Sequence, residues 1–257
     1  MQRLPVRLVD GSQITASAVA YYTAPLDMVS RLTAIPGAMA GVLFPAFAVS
    51  LLQDPGRTGL LFARGLKYTV LAIFPITLII VILAPEILRL WLGPTFSQNS
   101  SVVLRWLAAG VFVNSLALSP FALIQSAGRP DITAKLHLLE LPIYLGVVWV
   151  LTKRLGIEGT AIAWAGRVVL DAALLFLFTS RLLPQKPSFL PRLAVTVSAG
   201  LLILYGATFP EALVTKATIL TTCLVVFGLM AWFWGFAPDE RAFMLQVRGD
   251  TPAKNAL

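Results

Sequence analysis

The 257-residue sequence predicts an all-α fold, a polytopic bundle of about eight transmembrane spans. Three observations predict it. Hydrophobic residues make up 58% of the chain and charged residues only 12%, whereas a soluble domain is about a quarter charged. Apolar runs recur along the whole chain, and a run of about 20 residues suffices to cross roughly 30 Å of hydrocarbon. The basic residues behind the net charge of +8 form no dense cluster and lie between those runs. That pattern signals topology and not a nucleic-acid partner.

The first predicted span, 14–31 (ITASAVAYYTAPLDMVSR), is the weakest, because it contains Pro25 and ends in charge. Spans follow at 32–52, 67–84, 102–124, 132–152, 157–180, 192–209 and 215–236, with the longer loops at 53–66, 85–101 and 181–191. Pro36, Pro45, Pro75, Pro120 and Pro142 lie inside spans. Each removes one intrahelical hydrogen bond; two readings stay open, helices that surround a cavity or bend during a cycle, or the general frequency of proline in membrane helices. Small residues in PGAMAG (36–41) and AIAWAG (161–166) allow close helix approach. Trp91, Trp149, Trp232 and Trp234 fall near span ends, where amphipathic rings settle at the headgroups.

The N-terminal MQRLPVRLVDGSQ is basic but leads into polar residues, so it does not read as a signal peptide. Cys223, the single cysteine, sits in an apolar run and reads as a lipid-facing or packed thiol. His137 is the single histidine, so no zinc site built on histidines is expected. With the N-terminus taken as cytoplasmic, thirteen of the twenty basic residues fall on the cytoplasmic side and six on the other, with Arg167 inside a span. This predicts an even number of spans with both termini cytoplasmic.

Charge inside a span is the feature that asks for a function. WAGRVVLDAALLF (164–176) carries Arg167 and Asp171 four residues apart, on one helix face. A charge at mid-bilayer costs about 2.5–3.5 kcal/mol on insertion scales. Pairing lowers that cost without explaining why the charges are present. Two readings stay open: an ion pair that locks the helix to a neighbour, or a cavity-facing pair that handles an anionic or hydroxyl-rich substrate. Asp27 and Arg31 repeat the spacing close to a membrane face, where snorkelling satisfies an arginine. His137 and Glu140 lie one turn apart before Pro142. Glu140 is placed either for ion or proton coupling or for a helix-to-helix hydrogen bond. Arg105 and Asn114 share the fourth span.

No paired-aspartate motif, phosphate-cradling glycine loop or serine–histidine–aspartate arrangement accompanies these charges, so neither an enzyme nor a cofactor is expected. A membrane-embedded glycosyl- or acyltransferase would need an acid/base or metal cluster in a loop, and the longer loops offer none.

AYYTAPLDMVSRLTAIPGAMAGVLFPAFA (20–48), APEILRLWLGPTF (84–96), ALIQSAGRPDITAKLHLLELPIYL (122–145) and LGIEGTAIAWAGRVVLDAAL (155–174) follow one another in the order of a known family. Together they resemble the second lobe of the bacterial O-antigen and exopolysaccharide flippases, within the multidrug/oligosaccharidyl-lipid/polysaccharide exporter superfamily. The resemblance covers most of the chain and is not specific for a substrate. It implies two six-helix lobes around a central cavity and, in 14-helix members, an added helical pair. Residues 1–182 would be the second lobe, of about six helices with the first one clipped. Residues 183–257 would be the extra pair and a short cytoplasmic tail.

The resemblance implies transport of an undecaprenyl-pyrophosphate-linked oligosaccharide across the bacterial inner membrane for surface polysaccharide synthesis. Arg167, with Arg31, would meet the anionic headgroup, arginine offering a planar donor fork. Asp171, Asp27 and Glu140 would hold the arginines or accept from sugar hydroxyls, with His137 beside them. The alternative is a cation-coupled drug or metabolite antiporter of the same superfamily, using Glu140 or Asp171. A first lobe is expected from further sequence or from a partner chain.

Overall fold

The computed structural model describes residues 16–183 and 212–232. All elements among them are helical: α1 (Ala16–Ser30), a 3-10 turn (Arg31–Thr33), α2 (Ala34–Gln53), α3 (Pro55–Ile82), α4 (Ala84–Leu92), α5 (Pro94–Ser126), α6 (Pro130–Leu155), α7 (Ile157–Leu182) and α8 (Leu213–Met230). Six stretches are long and apolar enough to cross a membrane: Ser17–Gln53, Gly56–Ile82, Pro94–Ser126, Pro130–Leu155, Ile157–Leu182 and Leu213–Met230. The chain divides into two compact units, Met1–Pro210 and Glu211–Leu257, and α8 is the described helix of the second. The predicted span 192–209, Trp234 and the C-terminal tail lie outside the described residues.

The first two predicted spans are one helical stretch. Ser30, Thr33 and Ala34 all keep right-handed helical dihedrals through the 3-10 turn, so the chain does not reverse at Arg31. The hydroxyls of Ser30 and Thr33 donate back to the carbonyls of Asp27 and Ser30 at 3.0 and 2.6 Å. Polar side chains that suggest a loop are absorbed by the helix itself. At 37 residues and about 1.5 Å per residue, this stretch is longer than one crossing needs and extends past the hydrocarbon.

Two predicted loops are helical as well. Residue 54 alone separates α2 from α3, and the Asp54 carboxylate accepts from the Arg57 backbone N–H at 3.1 Å, with Pro55 in the first turn. This is an N-cap with proline where its missing N–H is harmless. Thr58 Oγ1 and Ser50 Oγ close the hairpin at 2.8 Å. The predicted loop 85–101 consists of α4 and the first turns of α5.

The α3–α4 junction shows how a proline is accommodated. Pro85 has no N–H for the carbonyl of Val81, four residues before it. Arg105 Nε of α5 donates to that carbonyl at 3.2 Å, and Ser97 Oγ donates to the Pro85 carbonyl at 2.7 Å. Arg105 therefore fastens α5 to a helix break and does not face the cavity described below.

Helix α5 is the axis of the first unit. It packs against α1, α2, α3, α4 and α7, and Leu104, Leu107, Phe112, Leu123 and Ile124 are buried on all its faces. Tyr21 of α1 meets Phe96 of α5 edge to face at 4.9 Å. Helix α6 is peripheral and packs chiefly on α7. Its Leu138, Leu139, Leu141, Ile143 and Leu145 are exposed, as suits side chains that face lipid.

One glycine turns α6 into α7. Gly156 has φ +63°, a conformation that favours glycine. Three residues later, a Cβ on Gly159 would overlap the Leu151 carbonyl, and Thr152 and Thr160 hydroxyls join the two helices at 2.9 Å. The small-residue expectation holds in part. Ala161, Ala163 and Ala165 are buried and Trp164 lies against Gly110 of α5, whereas a Cβ added at Gly37 or Gly41 would meet nothing within 4 Å.

Candidate functional site

A half-open cavity of about 200 Å³ lies between α5, α6 and α7. Asn114, Ala117, Leu118 and Phe121 of α5 form one wall, His137 of α6 another, and Arg167, Val168, Asp171 and Leu175 of α7 the third. Pro120 and Pro142 fall inside α5 and α6 beside these lining residues.

The charges pair across helices. Arg167 Nε lies 3.5 Å from Glu140 Oε2 of α6, and Asp171 Oδ1 lies 3.3 Å from His137 Nε2. The expected Arg167–Asp171 pair along α7 is replaced by these two interhelical contacts. The tight turn at Gly156 sets the register that brings the four side chains level. Tyr144, one turn beyond Glu140, places its ring 5.7 Å from the Arg167 guanidinium carbon, a cation–π geometry.

Burial differs sharply within the quartet. The Glu140 side chain is 2% exposed and Asp171 13%, but Arg167 is 32% and His137 44% exposed. The carboxylates are inner members and the two nitrogen bases open onto the cavity. Both Glu140 oxygens and Asp171 Oδ1 lack a well-aligned hydrogen bond. The 3.3 and 3.5 Å contacts are long and imperfectly directed, so the buried acceptors are only partly satisfied. Of the nine lining residues, Arg167 is the single permanent cation.

Asp27 and Arg31 are placed elsewhere. Both are exposed, on α1 and the 3-10 turn, and neither forms an ion pair among the described residues. Four of the six candidate residues thus meet in one site, and two do not join it. Tyr144 and Phe121 are site residues that spacing did not single out. The i,i+4 relation of Tyr144 to Glu140 was the available signal. Cys223 of α8 is a half-buried free thiol, and no group of metal-binding side chains occurs among the described residues.

Over 173 residues the chain is 34% identical to a Shigella flexneri protein named "Putative O-antigen transporter", an alignment that covers 66% of this chain and 40% of that protein. The chain is a homologue of that protein and spans well under two thirds of its length. No family model matches the chain, and no solved structure does.

Proposed function

We propose that the chain, which groups by homology with an O-antigen flippase-type family, moves undecaprenyl-pyrophosphate-linked oligosaccharide repeat units across the bacterial inner membrane. The observation that carries this reading is Arg167, a partly exposed cation in the wall of an intramembrane cavity. A membrane protein gains nothing from an arginine there unless it meets a counter-charge. Glu140 supplies only part of one, through a 3.5 Å contact on the Nε side. The exposed remainder of the guanidinium suits a diphosphate. Asn114, His137 and the Tyr144 ring offer polar and aromatic surface for a sugar.

The cavity's size supports a further element. About 200 Å³ falls below the roughly 300–1,000 Å³ that encloses a drug-sized ligand, so it is a headgroup-sized subsite. The rest of a lipid-linked oligosaccharide must lie against other surface. A second helical lobe, from additional sequence or a partner chain, would complete the path, in keeping with the 40% coverage of the relative. In this reading 1–182 acts as one lobe and 183–257 as an added helical pair with a cytoplasmic tail. The relative's name favours this over a drug or metabolite antiporter.

The unbroken 16–53 stretch changes the orientation we propose. The helix ends near Gln53, Ser126 and Leu182 share one face of an up-and-down bundle and carry Arg57, Arg129 and Arg181. We assign that face to the cytoplasm. The Ala16 end of α1 then lies on the periplasmic side, in place of the cytoplasmic N-terminus read from eight spans.

The test is deletion of the gene with separate measurement of lipid-linked repeat units on the two leaflets. Transport predicts loss of surface polymer and accumulation of repeat units in the cytoplasmic leaflet. Intact surface polymer in the deletion strain would remove the assignment.

A further inference from the structure

The four side chains at the α6–α7 seam do not balance in charge. Arg167 supplies one positive charge, Glu140 and Asp171 two negative ones, and His137 is neutral in its basic form. The surrounding elements do not correct this. From α5 the polar group in the cavity wall is Asn114, and α6 adds the uncharged Tyr144. Asp27 on α1 and Arg31 just after it are exposed and make no ion pair with the quartet. One proton makes the site neutral.

We propose that an anionic headgroup binds by displacing Glu140 from Arg167, and that the displaced carboxyl takes up one proton. This rests on the reading of Arg167 as the headgroup-binding residue. The Glu140 side chain is 2% exposed, and both its oxygens lack an aligned donor. A buried carboxylate that loses its counter-ion is far more costly than a protonated one. In the exchange, one negative charge of the ligand replaces that of Glu140 beside Arg167. A proton moves from solvent to a Glu140 oxygen, and the guanidinium stays charged throughout. Binding then adds to the site one negative charge fewer than the ligand brings, which favours passage through a low-dielectric interior.

The experiment uses the 257-residue chain in lipid nanodiscs and a short-chain prenyl diphosphate monosaccharide. Both phosphates of that diester stay ionised across neutral pH, so protons taken up on binding belong to the protein. Calorimetry in two buffers of different ionisation enthalpy counts them. The expected result is uptake of about one proton per ligand, with affinity falling about tenfold per pH unit on the alkaline side. Glu140→Gln should bind at least about tenfold more tightly at alkaline pH, without uptake and with a flat pH profile.

Binding without proton uptake by the unaltered chain, lost in Arg167→Ala, overturns the exchange and leaves the Arg167 reading standing. Equal binding by Arg167→Ala and the unaltered chain, or no binding by either, overturns both. Proton uptake is read on the unaltered chain, so a misfolded Glu140→Gln variant does not block the test.

Discussion

Arg167 of α7 and Glu140 of α6 face each other with Nε and Oε2 3.5 Å apart, one side chain a third exposed to a cavity and the other buried. The pair joins a peripheral helix to the bundle and keeps a cation at the cavity wall. Its geometry depends on the α6–α7 hairpin, on the placement of α5, and on which face of the membrane the cavity opens to. Each dependence yields a prediction.

The hairpin tolerates no side chain at Gly159. A Cβ there meets the Leu151 backbone carbonyl, which cannot rotate away. Gly159→Ala should cost about 1–3 kcal/mol of stability, the range for overpacking, and lower export by tilting α6 away from Arg167. Gly166→Ala is the control, because its Cβ position has no neighbour within 4 Å. It should be neutral or stabilising by up to about 1 kcal/mol, from helix propensity alone. Thermal unfolding in detergent separates the two.

Removing Arg105 should damage the scaffold and spare the cavity. Its Nε is the donor to the Val81 carbonyl that Pro85 leaves without a partner. Arg105→Leu is expected to cost about 1.5–3 kcal/mol, the range for a hydrogen bond from a charged group. Export per folded molecule should stay near normal. A transport defect at full stability would show that Arg105 has a second role.

Orientation is checked with reporter fusions. β-Galactosidase fused after Gly128 should be active, because that helix end carries Arg129 and is assigned to the cytoplasm. Alkaline phosphatase fused after Gly93 or Gly156 should be active, as these turns lie on the opposite face. The reverse pattern would invert the assignment of the whole bundle.

Asp27 and Arg31 should be dispensable for substrate handling. Both are exposed and lie outside the charged quartet. Asp27→Asn and Arg31→Ala are expected to change export less than about twofold, as surface substitutions usually cost within about 0.5 kcal/mol. Loss of export at normal protein level in either variant would place a second charged site on α1.

The bundle was legible in the sequence because hydrophobic run length reports a span directly. The join at residues 30–34 was not. Pro25, Asp27, Ser30, Arg31 and Thr33 are the residue types of a loop. The helical dihedrals of Ser30, Thr33 and Ala34 and the local bonds of Ser30 and Thr33 show the helix continuing. Loops 53–66 and 85–101 were misread for a related reason, since helices here run on beyond their apolar windows.

At the site the residues were legible and their partners were not. Arg167 and Asp171 stood out as charges four apart in an apolar helix. Their partners come from α6 and depend on the turn at Gly156. Counting outward from that glycine, Glu140 is sixteen residues before and Asp171 fifteen after, so a tight antiparallel hairpin brings them to one level. The tightness was the missing information, and it comes from Gly159 against Leu151.

The most direct test of the account is export of surface polysaccharide by Arg167→Ala in the native genetic setting, with protein level in the membrane measured alongside. The account predicts a normal protein level, because Glu140 can take up a proton once its partner is gone, and export reduced to the level of the gene deletion. Normal export by that variant at normal protein level would contradict it, and Arg167 would then be a helix-to-helix lock and not a binding group.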